Sequence, residues 1–286
     1  MPAHLPDHRA SRPLLTRADV RRLLDVHGLA PRKASGQNFV VDPNTVRKLV
    51  RMAGVVPGTQ VCEIGPGLGS LTLALREVGA SVVAVEVDAG LVRALREVVG
   101  DDTGVRIIHA DALEVDLAAL VGGQPVMLVS NLPYNVATPI VMKALASRAF
   151  RELFVVVQRE VGQRWVAGVG DSLYGAVSVK IHAQAAARIS GTVSRAAFYP
   201  MPNVESVAVS LVPRPWGLPV ARDQLFALVE AGFGQRRKRL RNALATPARG
   251  TDAIESALAG AGLDPAARAE ELDLRAWAAF ARVLYG

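Results

Sequence analysis

The residues best suited to chemistry stand at 131–134, which read Asn-Leu-Pro-Tyr. This tetrapeptide puts an amide side chain, two backbone carbonyls and an aromatic ring close together. Pro133 has no backbone N–H group, and it disfavours helical geometry at Leu132. Such a corner can direct acceptors at a planar amine while the Tyr134 ring lies flat on the base that carries it. Methylation of an exocyclic base nitrogen needs this arrangement, although an isolated Asn-x-Pro-Tyr is more often an ordinary strand-to-helix turn.

A second motif, Glu-Ile-Gly-Pro-Gly-Leu-Gly at 63–69, has the glycines of a ligand-binding loop. A strand is predicted to end at Glu63 and Ile64, and the glycines let the backbone pass close to a ligand before a helix begins. No lysine follows as in a phosphate-binding loop, and the third glycine comes one residue too early for the dinucleotide fingerprint. The loop therefore favours a cofactor held without a phosphate, with a plain Gly-rich turn as the alternative.

Polar side chains also end the next predicted strands. Glu86 follows Gly65 by 21 residues, where doubly wound folds place a carboxylate that accepts hydrogen bonds from ribose hydroxyls. Asp111 follows the third strand, where a carboxylate can accept from an adenine amino group, and Asn131 follows the fourth. Glu86 and Asp111 taken singly are more simply solvated strand ends. Four strand ends in register predict one ligand site, because open α/β sheets bind ligands at this edge.

The elements that position these residues follow from the alternation of short β-rich runs with amphipathic ones, which predicts a mostly parallel sheet flanked by helices. The predicted strands are 60–64, 81–86, 105–108, 125–130, 153–157 and 206–212. The predicted helices are 17–28, 42–54 and stretches near 69–78, 88–99, 138–147 and 159–166. After the prolines at 213–219 the strand signal vanishes, so we expect a disordered tail at 1–16, a sheet domain at 17–213 and a helical domain at 214–286.

Composition limits the class of protein. The 286 residues, half of them hydrophobic, suffice for one large domain and one small one. A single cysteine, Cys62, excludes an internal disulfide framework and fits a reducing cytoplasm. The chain has no run near the roughly 20 apolar residues of a membrane span, and its N-terminus has no signal-peptide core. We therefore expect a cytoplasmic protein without membrane contact, and the net charge of +7 favours a polyanionic partner.

Several longer motifs run from about Lys33 to Leu244. They read Gly-Gln-Asn-Phe-Val at 36–40, Asn-Leu-Pro-Tyr-Asn-Val-Ala-Thr-Pro at 131–139, Tyr-Gly-Ala-Val-Ser-Val at 174–179, Phe-Tyr-Pro-Met-Pro-Asn-Val at 198–204 and Phe-Gly-Gln-Arg-Arg-Lys-Arg-Leu-Arg-Asn at 233–242. Together with the glycine loop they resemble the ribosomal RNA adenine N6,N6-dimethyltransferase family, closest to the members that act on 16S rRNA. The resemblance implies a Rossmann-like, S-adenosylmethionine-dependent methyltransferase domain followed by a small helical domain.

The resemblance also implies residue roles. Asn131 and the Leu132 carbonyl would hold the hydrogens of an adenine amino group at the corner made by Pro133, Tyr134 would stack on the base, and Phe198 would cover its other face. We assign S-adenosylmethionine binding to Asn38, Val40, Glu63, Gly65, Gly67, Glu86, Asp111, Ala112 and Asn131. The implied activity is dimethylation of two adjacent adenosines near the 3′ end of 16S rRNA in the 30S subunit, with a role in ribosome biogenesis.

A basic cluster at 235–241 carries five cations in seven residues. On a helix these would cover most of the circumference, so they are not simply one solvated face. We assign RNA binding to Arg236, Arg237, Lys238 and Arg241, with Arg32, Lys33, Arg159 and Arg164 as possible extensions of the track. A helix that only adds solubility is the alternative. Five scattered histidines and one cysteine form no metal-ligand set, so we expect no metal, and we expect a monomer.

Three functions compete on this sequence. The first is 16S rRNA dimethylation. The second is methylation of large-subunit rRNA by a close relative that confers macrolide resistance, but those enzymes usually carry Asn-Ile-Pro-Tyr. The third is a ribosome-assembly or transcription-associated binding protein that keeps the fold without catalysis, which the intact Gly65, Glu86, Asn131 and Tyr134 argue against. DNA adenine methylation is disfavoured because those enzymes usually read Asp/Asn-Pro-Pro-Tyr.

Overall fold

The computed structural model describes residues 12–31, 37–247 and 249–286, and these form two compact units. The first unit comprises the described residues up to Arg159 together with Ile189–Leu211. The second comprises Glu160–Arg188 and Val212–Gly286. Of the predicted tail, residues 1–11 lie outside the described residues, whereas Leu14 and Leu15 are buried in the core of the first unit. The end of that segment is therefore part of the folded protein.

The first unit is built on a sheet in which parallel strands are neighbours out of chain order. The strands are β2 (Gln60–Ile64), β3 (Ser81–Glu86), β4 (Val105–His109), β5 (Val126–Asn131), β6 (Phe150–Gln158), β7 (Ala185–Val193, in this unit from Ile189 onward) and β9 (Ser206–Pro213, in this unit up to Leu211). Their order across the sheet is β4-β3-β2-β5-β6-β9-β7, with β4 to β6 parallel and β9 antiparallel to β6. Residues 126–130 of β5 are all buried, which is typical of a central strand covered on both faces.

The helices of the first unit begin at side chains that cap them. They are α1 (Arg17–Val26), α2 (Pro43–Met52), α3 (Ser70–Glu77), α4 (Ala89–Val99), α5 (Leu117–Leu120) and α6 (Ala137–Ser147). Asp42 accepts hydrogen bonds from two backbone N–H groups at the start of α2, and Asp88 does the same at the start of α4. A further small sheet pairs β1 (Phe39–Val40) with β8 (Phe198–Tyr199). Val40 thereby lies beside Phe198.

The second unit is helical and extends the predicted C-terminal domain. Its helices are α7 (Arg159–Val166, from Glu160 onward), α8 (Ala176–Gln184), α9 (Arg222–Gly234), α10 (Leu240–Ala243), α11 (Thr251–Gly260) and α12 (Leu274–Tyr285). Its C-terminal part begins at Val212, close to the predicted boundary at 213, and the unit also includes residues 160–188. Contacts explain this grouping, since the Tyr174 hydroxyl donates to the Leu272 carbonyl at 2.8 Å and the Tyr174 ring lies edge-on to Phe233.

The predicted strands and helices of the first unit agree with the observed ones to within a few residues, as for 60–64 against Gln60–Ile64. The sequence analysis assigned neither α8 nor β7. The β7 sequence begins with three alanines, which favour a helix when taken alone. Tertiary context overrides that propensity, and in the same strand Gly191 lies against the terminal methyl group of Met52. Within the described residues, no helix has the length and apolar character needed to cross a membrane.

Candidate active site

The candidate site lies at the carboxyl ends of β3, β2 and β5, which are neighbours in the sheet. Connections from β2 lead to β3 and β4 on one side, whereas β5 pairs with β2 on the other. This change of direction is the topological switch point at which open α/β sheets bind ligands. It brings together Glu63, Glu86 and Asn131, whose side chains stand at the ends of these strands.

The glycine loop after β2 approaches its surroundings too closely for side chains. Gly67 has a φ of 59°, and a Cβ atom there would lie 2.9 Å from the Phe39 ring. Gly65 has a φ of 71°, and a Cβ atom would lie 3.3 Å from Pro133. Both positions therefore favour glycine for conformation, and at Gly67 the space is also too small for a side chain. The loop thus packs against two other predicted motifs that are far apart in the chain, 36–40 through Phe39 and 131–139 through Pro133.

The Glu86 carboxylate holds the loop and the start of α4. One oxygen accepts a hydrogen bond from the Gly67 N–H group at 3.1 Å, and the other accepts from Val87 and Asp88 at 3.0 Å each. A carboxylate has roughly four acceptor sites, so about one is left for a ligand hydroxyl. Burial raises the pKa of Glu86, and the three backbone hydrogen bonds oppose that rise. The residue therefore has a structural role beside the predicted ribose contact.

Glu63 is a second buried carboxyl group beside the loop. Only 1% of the residue is exposed, and it accepts a hydrogen bond from the Thr72 hydroxyl at 2.6 Å. Burial raises its pKa to about 8, the Thr72 hydrogen bond opposes this, and the charge of Glu86 adds to it. Glu63 is therefore largely protonated at neutral pH in this state. A cationic ligand would favour its ionised form.

Asn131 presents an acceptor that has no partner. Its Nδ2 atom donates to the Asn38 carbonyl at 2.9 Å, whereas its Oδ1 atom is buried without a hydrogen bond. The donated bond fixes which end of the amide is which, because the reversed amide would set Oδ1 against the Asn38 carbonyl. A buried unpaired acceptor costs roughly 1–3 kcal/mol, and a ligand N–H group would remove that cost. The residue is thus suited to hold a donor such as an amino group.

The Tyr134 ring is positioned by its own hydroxyl. The hydroxyl shares a hydrogen bond of 2.7 Å with Ser206, and burial raises the pKa of Tyr134 against the effect of that bond. Leu132 donates its N–H to the Val156 carbonyl of β6 at 3.1 Å, which extends the strand pairing by one residue. The Asn-Leu-Pro-Tyr corner is therefore fixed at both ends by the sheet. Such rigid support is what a positioning site requires.

Two cavities meet at this corner. The first has a volume of about 300 Å³, and the second has about 590 Å³. Gln37, Asn38, Tyr134 and Asn135 line both of them. The predicted residues that line the first cavity are Asn38, Val40, Glu63, Gly65, Gly67, Glu86, Asn131, Leu132, Pro133 and Tyr134. The two motifs of the sequence analysis thus form one site.

Asp111 and Ala112 are not among the residues that line the first cavity. The Asp111 side chain is exposed, and its carboxylate accepts a hydrogen bond from Leu113 at 2.8 Å. Both residues follow β4, which pairs with β3 beside Glu86. Their assignment to the cofactor stays a prediction.

Phe198 lies in the core of the first unit. Its ring is fully buried and belongs to the core of the first unit, and it lines neither cavity. Its backbone pairs with Val40, and its carbonyl accepts a hydrogen bond from Arg17 at 3.2 Å. Moving the ring into a cavity would give up roughly 1.5–3 kcal/mol of burial. Phe198 therefore stabilises the core in this state, and its assignment to the target base stays a prediction.

Sequence reasoning missed the apolar lining of the first cavity, which includes Phe39, Leu68, Leu71 and Leu91. Leu71 and Leu91 lie on the first turns of α3 and α4, which start at the strand ends that carry the polar groups. Their position in the sequence could have predicted them, because a helix that follows a ligand-binding strand end directs its first residues toward the same ligand. Their apolar surfaces suit a flat, weakly polar ligand face.

The basic cluster does not lie on one helix, as the prediction had assumed, because most of it lies on a turn and only Arg241 lies on α10. Helix α9 ends at Gly234, and residues 235–239 turn before α10 begins at Leu240. Arg236 pairs with Glu270 at 2.6 Å, and Arg241 pairs with Glu255. Arg237 and Lys238 are exposed, and neither has an ion pair with a carboxylate in the described part of the chain. These two are the residues of the cluster most available for phosphate groups.

Of the other four predicted cations of the RNA track, two form ion pairs with carboxylates and two lie outside the described residues. Arg159 pairs with Glu205, and Arg164 pairs with Glu160 at 2.6 Å, four residues away on α7. Arg32 and Lys33 lie outside the described residues. Among the residues that the structure describes, no cluster of three or more His, Cys, Asp or Glu side chains could hold a metal ion.

Fold and site together define a Rossmann-like methyltransferase with an added helical unit. The sequence model of ribosomal RNA adenine dimethylases matches residues 28–283. The chain is similar to ribosomal RNA small subunit methyltransferase A of Thermobifida fusca, with 47% identity over 277 residues that cover 94% of this chain and 95% of the relative. The same protein of Streptomyces coelicolor is 45% identical over 276 residues, which cover 94% and 96%. The chain belongs to the ribosomal RNA adenine dimethylase family.

Solved structures support the fold. A dimethyladenosine transferase from Plasmodium falciparum superimposes with a TM-score of 0.71 at 20% identity, over 84% of this chain and 94% of that one. The 23S rRNA methyltransferase ErmE superimposes with a TM-score of 0.64 at 24% identity, over 86% and 99%. At these identities the likeness shows the shared architecture alone.

Proposed function

We propose that this protein dimethylates the N6 amino groups of two adjacent adenosines near the 3′ end of 16S rRNA in the 30S subunit, using S-adenosylmethionine. It would act as a cytoplasmic monomer during ribosome biogenesis. The observation that carries the proposal is the buried, unpaired Oδ1 atom of Asn131, which lines the first cavity beside Tyr134. The curated relatives named small-subunit methyltransferases support the choice of substrate.

S-adenosylmethionine fits the first cavity by the chemistry of its lining. Glu86 retains acceptor capacity for ribose hydroxyls, and Leu71 and Leu91 offer apolar surface for an adenine ring. The buried carboxyl groups of Glu63 and Glu86 suit a cofactor that carries positive charge. When bound, this cofactor supplies an electrophilic methyl group.

The protein's task in the transfer is to position a weak nucleophile. The lone pair of an adenine amino group is delocalised into the ring, so the group must be turned before it can attack. Asn131 Oδ1 and the Leu132 carbonyl would accept the two amino hydrogens and direct the lone pair toward the methyl donor. Orientation of this kind supplies roughly 7–11 kcal/mol in favourable cases. A strong general base is not needed, because the nitrogen becomes acidic as it is methylated.

The target base would enter through the second cavity and lie against the ring of Tyr134, which lines both cavities. An adenosine must leave its stack to reach such a site, as in other enzymes that modify bases. Arg237 and Lys238 on the turn after α9 are proposed to contact phosphates of the RNA. Arg236 and Arg241 contribute only where the RNA displaces their carboxylate partners.

The test compares substrates directly. The protein and labelled S-adenosylmethionine are incubated with 30S subunits, 50S subunits and DNA, all lacking prior methylation, and the modified base is mapped. We expect two dimethylated adjacent adenosines in 16S rRNA and no label in the other substrates. Label in 23S rRNA or DNA would replace the proposed substrate. Binding to 30S subunits without any transfer would favour a binding protein that keeps the fold.

A further inference from the structure

Helix α1 carries two arginines that lie against one aromatic ring of the first unit. Arg17 and Arg21 stand one turn apart, and the central carbons of their guanidinium groups lie 5.9 Å and 5.1 Å from the centroid of the Tyr199 ring. Both distances are within the range of cation–π contacts. Tyr199 pairs with Phe39 in the small sheet, so its ring is a fixed support for both groups.

The charges of this pair are not neutralised by the protein. Neither arginine forms an ion pair with a carboxylate in the part of the chain that the structure describes. Of the acids on α1, Asp19 accepts hydrogen bonds from Thr16 at the start of the helix, and Asp25 forms no ion pair with the described cations. Two like charges held against one ring repel each other, and an anion bound between them would remove that repulsion.

The two guanidinium groups keep hydrogen-bond donors for a ligand. Arg17 uses only its Nη2 atom within the protein, donating to the Ala196 and Phe198 carbonyls at 2.8 Å and 3.2 Å. Its Nε and Nη1 atoms stay available. Arg21 is exposed and forms no hydrogen bond to the described residues. A guanidinium group held flat on a ring can bind a phosphate group through two parallel hydrogen bonds, so a phosphate is the anion that suits this surface.

This basic surface adjoins the second cavity. Tyr199 is followed directly by Pro200, which lines that cavity. Arg195 extends the surface, because it is exposed and its guanidinium donates at 3.0 Å to the carbonyl of Asn203, which also lines the cavity. A strand that places one base in the second cavity would therefore carry its neighbouring phosphates past these cations.

We propose that Arg17 and Arg21, stacked on Tyr199, bind a backbone phosphate of the ribosomal RNA strand next to the target adenosine. The identity of this strand rests on the proposed function. Helix α1 is suited to the task because its inner face is buried in the core of the first unit, which fixes the position of both arginines. The contact is separate from the one proposed for Arg237 and Lys238 in the second unit.

The first test measures the affinity for unmethylated 30S subunits at several salt concentrations. Arg21→Gln should weaken binding by roughly threefold to tenfold, as for one charge-assisted hydrogen bond at an exposed site. The slope of log affinity against log salt should flatten by roughly 0.7, the value for one phosphate on a single strand. Arg21→Lys should restore the slope but only part of the affinity, because lysine keeps the charge and loses the planar fork. The affinity for S-adenosylmethionine should not change, since Arg21 does not line the first cavity.

Arg51→Gln is the matched control. Arg51 is an exposed arginine on α2 that lines neither cavity and has no ion pair among the described residues. Arg17 is left unchanged in these variants because its hydrogen bonds also hold the backbone at Ala196 and Phe198. If Arg21→Gln and Arg51→Gln change the affinity and the slope equally, the effect is one of net charge alone and the proposal is overturned.

The second test identifies what lies against α1. Arg21→Cys is labelled with a photoreactive azidophenacyl group. The label is directed to residue 21, because Cys62, the single native cysteine, is buried and its burial raises the pKa of its thiol to about 12. After irradiation on 30S subunits, the crosslink should fall on 16S rRNA within several nucleotides of the two adenosines, and the same label in Arg51→Cys should not reach them. A crosslink to a ribosomal protein, or to a distant part of the rRNA, would overturn the proposal.

The two tests separate the possible failures. If the wild-type protein methylates 30S subunits but Arg21→Gln binds them like Arg51→Gln, the proposal about α1 is overturned while the proposed function stands. If the wild-type protein transfers no methyl group to 30S subunits, the proposed substrate fails. A salt slope that depends on Arg21, together with a crosslink to rRNA, would then retain α1 as an RNA-binding surface, and equal slopes for the two variants would reject it.

Discussion

Replacing Glu63 by glutamine tests whether the site holds a carboxyl group that is protonated in the folded protein. Glu63 is buried and its pKa is raised to about 8 from the ordinary value of 4.5. The unfolded chain releases this proton above pH 4.5, whereas the folded chain keeps it up to about pH 8. Folding therefore takes up a proton between these values, and the free energy of unfolding falls as pH rises through the window. The Glu63→Gln variant would have no such dependence, and its amide oxygen would still accept from Thr72.

The size of the effect follows from the shift. Each unit of pKa difference corresponds to about 1.4 kcal/mol, so the wild-type protein should lose on the order of 3–4 kcal/mol relative to Glu63→Gln between pH 5 and pH 9. Titration of Glu86 is present in both proteins and largely cancels in the comparison. A constant offset from the buried amide would not alter the pH dependence, which is the quantity to be measured.

Urea denaturation without cofactor provides the measurement. All three tryptophans, Trp165, Trp216 and Trp277, belong to the second unit, so their fluorescence follows that unit, and far-ultraviolet circular dichroism is recorded beside it because its signal includes the first unit. Glu77→Gln is the control, because Arg47 lowers the pKa of Glu77, so the contribution of Glu77 to stability does not change between pH 5 and pH 9. If the difference between wild type and Glu63→Gln stays constant within about 1 kcal/mol from pH 5 to pH 9, Glu63 ionises normally and the reasoning is refuted.

Three further outcomes are expected. Glu86→Gln should weaken S-adenosylmethionine binding by calorimetry while the protein stays folded; unchanged affinity would remove Glu86 from the cofactor site. Asn131→Ala should reduce methyl transfer on the order of a hundredfold with RNA association nearly intact, and transfer within a factor of three of wild type would contradict its role. Exchanging Arg237 and Lys238 together for Gln should flatten the slope of log affinity against log salt by roughly 1.4 on single-stranded RNA, against little change for the paired Arg236 and Arg241; equal effects would show that the ion pairs do not matter.

Strand ends were the most predictable part of the site. Parallel strands carry their carboxyl ends to one edge of a sheet, so the order of polar residues along the chain was sufficient to place Glu63, Glu86 and Asn131 together. The glycine spacing predicted the loop for a similar reason, because positive φ angles at Gly65 and Gly67 exclude most other residues. These are local rules that need no knowledge of packing.

Features that depend on tertiary contacts were not predictable in this way. The composition of residues 235–239 favours a helix, but in the structure these residues form a turn. The next helix begins at Leu240, whose side chain is fully buried. Two of the four cations assigned to RNA were found paired with acids that lie 14 and 34 residues further along the chain. Charge counting identifies a basic segment, but only the structure tells which cations are available.

Phe198 shows the same limit for an aromatic residue. A ring next to a Pro-Met-Pro segment can either fill the core or face a ligand, and the sequence pattern is the same in both cases. In the structure the Phe198 backbone pairs with Val40, and its ring is fully buried in the core of the first unit. Which of the two environments a ring occupies is decided by the tertiary packing around it, and the spacing of residues along the chain does not contain that information.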